Sequence, residues 1–168
     1  VGALAVILML FTVTAYFLFD AAVRNQTDST LSEIAEAFEN SVNEELRHED
    51  SDDERKTIDE AIRDSTSEVS FKNYRIAVYS AENKLLNSAV SERFSLVSND
   101  AAQNWLAEFP DKTKAILKTF DENGSKFRVN FRPFRLGNEV LYLLVIHSLQ
   151  EREDLLSKVR YAFLIFVP

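Results

Sequence analysis

The sequence predicts an α+β domain, with long N-terminal helices packed on a five-stranded antiparallel sheet, flanked by two membrane helices of which the second is cut short. Three observations predict it. Val1 to Phe19 carries no charged side chain, the pattern that follows is helical to about Ser70 and strand-like in the last third, and a second uncharged run opens at Tyr161.

Taken in order, residues 1–19 (VGALAVILMLFTVTAYFLF) come first. At about 1.5 Å rise per residue a helix of this length covers roughly 28 Å, close to the hydrocarbon thickness of a bilayer. A secretory signal peptide is the competing identity. It requires a basic start, a shorter apolar core and small residues before a cleavage site. Ala15-Tyr-Phe-Leu-Phe-Asp20 instead puts aromatics and leucine there, so the run reads as a first membrane span. Residues 161–168 (YAFLIFVP) read as the beginning of a second, and with no initiator methionine the chain is expected to be a fragment cut within it.

Both runs are uncharged, so all 27 acidic and 19 basic residues and the net charge of −8 belong to residues 20–160, the size of one ordinary domain. An acidic domain lacks the basic face that nucleic-acid phosphates need, and it disfavours flat docking on anionic lipid. With no cysteine there is no disulfide framework, thiolate metal site or thiol nucleophile.

Neither glycine nor proline occurs between Ala3 and Phe109, so nothing breaks a helix outright over that half. Leu31, Ile34, Phe38, Val42 and Leu46 fall three or four apart, with Glu33, Glu36, Glu39, Asn43 and Glu44 between them. That spacing is one apolar face of a helix over 20–46. The stripe is either a core face laid on a sheet or, in its membrane-proximal turns, a seam with a second copy of the chain. Arg47 to Thr57 has no apolar residue and reads as a solvated loop, and Glu44 to Glu60 holds nine acids against three bases. A shorter helix over 56–69 follows, with Ile58, Ala61, Ile62 and Val69 inward.

The period then changes from helical to alternating. Tyr74, Ile76 and Val78 alternate with Arg75, Ala77 and Tyr79, a strand over 73–80, and Ala81-Glu-Asn-Lys84 turns the chain into a second over 84–89. A short helix, Asp100 to Glu108, places Trp105 beside Leu106 and Phe109. Asn123-Gly124 joins strands over 114–121 and 126–135, because both positions of a tight hairpin turn tolerate positive φ. Gly137-Asn138 leads into 139–148, apolar on both alternations and therefore suited to a central strand covered on both faces. Leu155, Leu156 and Val159 return to helical spacing before the second apolar run.

This layout resembles the extracytoplasmic sensor region of bacterial two-component sensor histidine kinases, with two spans flanking a PAS-like domain. The resemblance lies in the first span running into the helix around Leu31 to Leu46; in the strand-turn-strand from Tyr74 to Ser88; in the strand Leu141-Tyr-Leu-Leu-Val-Ile-His-Ser148; and in the helical exit Leu149 to Leu156. It implies a homodimer through the membrane-proximal helices, anchored in the bacterial inner membrane. Residues 20–160 would lie on the periplasmic side, and a kinase after the second span would meet its response regulator. No catalytic residue is expected in this chain. His48 lies in a charged loop with no proline near and His147 in an apolar strand, so neither fits a phosphoacceptor, and no glycine-rich nucleotide loop occurs. The sensor domains of chemoreceptors and diguanylate cyclases share the layout, and a non-signalling membrane-anchored adaptor is a further reading.

Two candidate sites follow. Glu49, Asp50, Asp52, Asp53 and Glu54 can hold a divalent cation, although they lack the spaced pattern of a calcium loop, and a solvated connector is the plainer reading. No cofactor is expected. Arg75, Arg128 and Arg132, with Tyr79 and Tyr142, offer a pocket for a small anionic ligand, since arginine grips carboxylates with two parallel hydrogen bonds. Their alternative is the solvent side of alternating strands. Copper or zinc sensing is disfavoured, because Met9 lies within the apolar run and the two histidines stand far apart.

Overall fold

A computed structural model describes residues 2–47, 57–68, 74–90, 97–150, 153–154 and 156–158. The acidic loop, Val69, Pro168 and the second apolar run lie outside these residues, as do Val1 and the side chains of Gly2, Leu4, Ala5 and Leu8. The elements are α1 (Gly2–Arg47), α2 (Ile58–Glu68), β1 (Tyr74–Ser80), β2 (Leu85–Val90), α3 (Asn99–Ala107), β3 (Ile116–Glu122), β4 (Ser125–Leu136) and β5 (Glu139–Ser148). The chain divides into two compact units, Val1–Thr30 with Glu151–Pro168, and Leu31–Gln150.

The Leu31–Gln150 unit is α+β, with five antiparallel strands in the order β2-β1-β5-β4-β3. Its hairpins follow local chemistry. Asn123 and Gly124 both have positive φ, 54° and 79°, the left-handed pair that a two-residue turn between twisted strands requires. Asn83, at φ 64°, closes the β1–β2 turn, where the Ser80 amide donates to the Lys84 carbonyl at 2.9 Å. β5 lies between β1 and β4, the central place that its apolar alternations predict.

Each face of the sheet carries its own core. On one face Leu31, Ile34, Ala35, Phe38 and Val42 of α1 and Ala61 and Ile62 of α2 pack against Ile76, Val78, Phe134, Leu136, Leu141, Leu143 and Val145. The stripe Leu31, Ile34, Phe38 and Val42 is buried to 5% exposure or less, and Leu46 is partly buried against it, so the stripe is a core face and not surface left for a second copy. Polar ties run through the same face. Arg132 Nε lies 3.0 Å from Glu39 Oε2, and Asn130 Nδ2 donates to Ser32 Oγ at 3.3 Å. The helix α2 starts on a capping box in which the Thr57 amide donates to the Glu60 carboxylate at 2.9 Å and the Glu60 amide returns a bond to the Thr57 hydroxyl. The backbone bond from Thr57 is the main cause that holds the Glu60 carboxyl below its usual pKa.

The opposite face is covered by α3, begun one residue earlier than the sequence reading by Ser98, whose hydroxyl accepts from the Ala101 amide at 3.0 Å. Beneath it Trp105, Phe109, Phe120, Phe127 and Phe131 form an aromatic wall, with ring centroids 4.7–5.6 Å apart in each contact.

In the other unit α1 displays Val6, Ile7, Met9, Leu10, Phe11, Val13, Phe17, Leu18 and Phe19 as exposed side chains. Among the described residues no helix is long and apolar enough to cross a membrane.

Candidate functional site

The register decides which of the five ligand residues expected from sequence meet. On β1 the odd positions Arg75, Ala77 and Tyr79 point to the α3 face, as do Tyr142, Leu144 and Ile146, which pair with them on β5. On β4 the α3 face belongs to Phe127, Val129 and Phe131. Arg128 and Arg132 fall on the alternate positions and face the other way, Arg128 Nη1 donating to Thr119 Oγ1 at 3.1 Å and Arg132 pairing with Glu39. A single pocket lined by all five is therefore not formed; Arg75, Tyr79 and Tyr142 share one face and Arg128 and Arg132 the opposite one.

Arg75 also departs from the solvent-side reading. It is 1% exposed and sits in the interior. Its guanidinium is bonded on three sides: Nε donates to Ser88 Oγ at 3.3 Å, Nη1 to the Val97 carbonyl and Nη2 to Asn99 Oδ1. All three acceptors are uncharged. Burial lowers the Arg75 pKa, opposed by the nearby Tyr79, and no acid among the described residues acts on it. The three bonds tie β1, β2 and the start of α3 together at one point.

Tyr79 is fully buried, and its hydroxyl has no hydrogen-bond partner among the described residues. An unpaired buried hydroxyl costs about 1–3 kcal/mol, so its place in the core calls for a reason. Burial raises its pKa, with Arg75 opposing, and burial raises that of Tyr74 as well. For a tyrosine raised in the folded state, stability is held below the unfolded pKa and lost as pH rises through the folded one. An absorbance titration should accordingly show the Tyr74 and Tyr79 phenols, identified by their Tyr→Phe variants, ionising above the ordinary tyrosine range, with stability falling above about pH 10. Ionisation of both in the ordinary range would contradict the burial of Tyr74 and Tyr79.

Beside Tyr142, at the tip of the same face, Lys112 Nζ stands 5.2 Å from the ring centroid and donates to Asn83 Oδ1 at 2.7 Å, while Gln103 Nε2 donates to the Asn83 carbonyl at 3.1 Å. These bonds hold the β1–β2 turn against α3. The sequence reading passed over Ser88, Val97, Asn99 and Lys112. None of the four had a local signal: the Tyr79↔Leu85 register next to the turn would put Asn87 opposite Ala77, and a β-bulge between Val78 and Tyr79 brings Ser88 there instead.

Glu49, Asp50, Asp52, Asp53 and Glu54 lie outside the described residues. Among the described residues no three of the His, Asp and Glu side chains gather closely enough to hold a metal ion.

No protein-family model matches the chain, and no curated protein does. Among solved structures, the sensor domain of the zinc-responsive histidine kinase CzcS from Pseudomonas aeruginosa is similar at 12% identity, over 70% of this chain and 94% of that one, with a TM-score of 0.38. A likeness of that degree is too slight to identify a shared fold or ligand.

Proposed function

We propose that the chain is the signal-input module of a membrane-bound sensor histidine kinase. In this reading Val1–Phe19 and the run opening at Tyr161 are two spans of the bacterial inner membrane, and the Leu31–Gln150 unit is an extracytoplasmic, PAS-like sensor domain. The chain performs no chemistry of its own. A stimulus shifts the population of two arrangements of the domain or of a homodimer, and the two membrane helices carry the change to a kinase beyond them.

The observation that carries the proposal is the single helix α1, which exposes nine large apolar side chains between Val6 and Phe19 and buries Leu31, Ile34, Phe38 and Val42 in a sheet. A second detail is compatible with a lipid environment, though Thr27 and Thr30 make the same bond further along α1. The Thr14 hydroxyl donates to the Leu10 carbonyl at 2.8 Å, so this polar group in the apolar run is satisfied without water. Because the Leu31–Val42 stripe is in the core, homodimer contacts are proposed for the membrane-proximal turns before it.

The absence of cysteine makes the topology directly testable. A single cysteine at Asn40, an exposed position on α1, should react with a membrane-impermeant maleimide in intact cells after removal of any outer membrane. Labelling only after lysis places the domain in the cytoplasm and overturns the reading. The sequence following Pro168 separates the outputs. A helix-borne His-Glu with proline shortly after marks a kinase, Gly-Gly-Asp/Glu-Glu-Phe a diguanylate cyclase, and neither favours an adaptor.

A further inference from the structure

The two faces of the sheet are covered unequally. Leu31, Ile34, Ala35, Phe38 and Val42 of α1, with Ala61 and Ile62 of α2, are buried on one face. On the other, α3 spans nine residues and buries Ala101, Ala102, Trp105 and Leu106. Among the described residues no buried side chain belongs to both cores, so one cover can leave without unpacking the other. The free energy of a local opening follows the apolar contact it breaks, which makes α3 the cover that lifts at lower cost. Opening also returns the buried Arg75 guanidinium to water, and a buried charge gains most from hydration.

Beyond these side chains, polar ties hold α3 in place. Nη1 and Nη2 of Arg75 donate to the Val97 carbonyl and to Asn99 Oδ1, while Nε holds Ser88 on β2. Gln103 Nε2 donates to the Asn83 carbonyl at 3.1 Å, and Glu108 Oε2 pairs with Lys118 Nζ of β3 at 2.9 Å. The last two lie at the surface, where such bonds contribute little. The Arg75 bonds are interior and come from a cation, the stronger kind. A helix shorter than about 12–15 residues is marginal by itself in water, so α3 off the sheet loses its own turns as well. Release is therefore all-or-none. We infer that α3 is a strap with two discrete states, docked and released, and that Arg75 is the latch that sets their ratio. The inference deepens the sensor reading and rests on it for its meaning: docked and released are the two arrangements of the domain between which a stimulus chooses, while the α1 face stays packed.

The test is native-state hydrogen exchange of the full chain in detergent, where membrane orientation plays no part, so a failure here leaves the topology result standing and the reverse holds too. In the parent, the amides of residues 102–107 should be protected at least about tenfold less than those of residues 143–146 on β5. Asn99→Ala removes one latch bond at an exposed position. It should lower protection in α3 by about tenfold or more, leave β5 and the Leu31–Val42 stripe unchanged, and increase acrylamide quenching of Trp105, the only tryptophan. Alanine is the better helix former, so helix propensity alone would move α3 the other way, and the sign separates the latch from it. Gln103→Ala, at a surface tie, should stay within about twofold of the parent. Equal protection of α3 and β5, an Asn99→Ala effect spread evenly over both faces, or no effect of Asn99→Ala on α3 would each overturn the inference.

Discussion

Phe38→Ala should lower the stability of the chain by about 3–5 kcal/mol, a third or more of what a domain this size commonly has. Phe38 is fully buried between α1 and the sheet, among Leu31, Ile34, Val42, Ile76, Val78, Leu143 and Val145. Truncation loses the transfer free energy of the ring and leaves a cavity that neighbours on a helix and two strands cannot all collapse to fill. The control is Glu36→Ala, on the exposed face of the same helix, which should stay within about 0.5 kcal/mol of the parent. Chemical denaturation read by the fluorescence of Trp105, the only tryptophan, is the measurement. Trp105 belongs to the core on the opposite face of the sheet, so its response also reports whether both faces unfold together. A loss below about 1 kcal/mol would mean that the stripe is not packed on the sheet and is open to a second copy after all.

That choice between core and seam was left open by the sequence, because a stripe at helical spacing states only that one face is apolar, not what covers it. The hairpins were legible, since Asn123-Gly124 encodes its own backbone geometry and fixes which residues of β3 and β4 face one another. Strand ends shifted by a residue or two, as at β3, expected from residue 114 and observed from Ile116. The arginines divide along the same line. Alternation in Phe127-Arg-Val-Asn-Phe131 already sets Arg128 opposite to the aromatic side, and the structure keeps it there. On β1 the same alternation set Arg75 on the polar side, yet this strand lies inside the sheet with helices on both faces, so its polar side is also interior. Burial of that kind depends on where α3 comes to rest, which is a tertiary fact with no local signature.

The second large effect lies in the apolar run. Leu10→Arg combined with Val13→Arg should abolish stable membrane insertion while leaving the Leu31–Gln150 unit folded. Residues 1–19 contain eleven Val, Ile, Leu and Phe side chains. At about −0.3 to −0.6 kcal/mol each at a helix centre these favour insertion, and each central arginine costs about 2.5–3.5 kcal/mol. One arginine offsets much of the total; two, three residues apart near the middle, reverse it. In water the same changes cost almost nothing, because Leu10 and Val13 are 64% and 44% exposed and arginine is a good helix former. The sign and size of the effect therefore report the solvent around α1. Membrane fractions washed with alkaline carbonate should retain the parent and lose the double variant, and the Trp105 denaturation midpoint should be unchanged. If parent and variant partition alike, lipid is not what covers these nine side chains, and the adaptor reading, with a protein partner on the helix, takes the place of the signalling one.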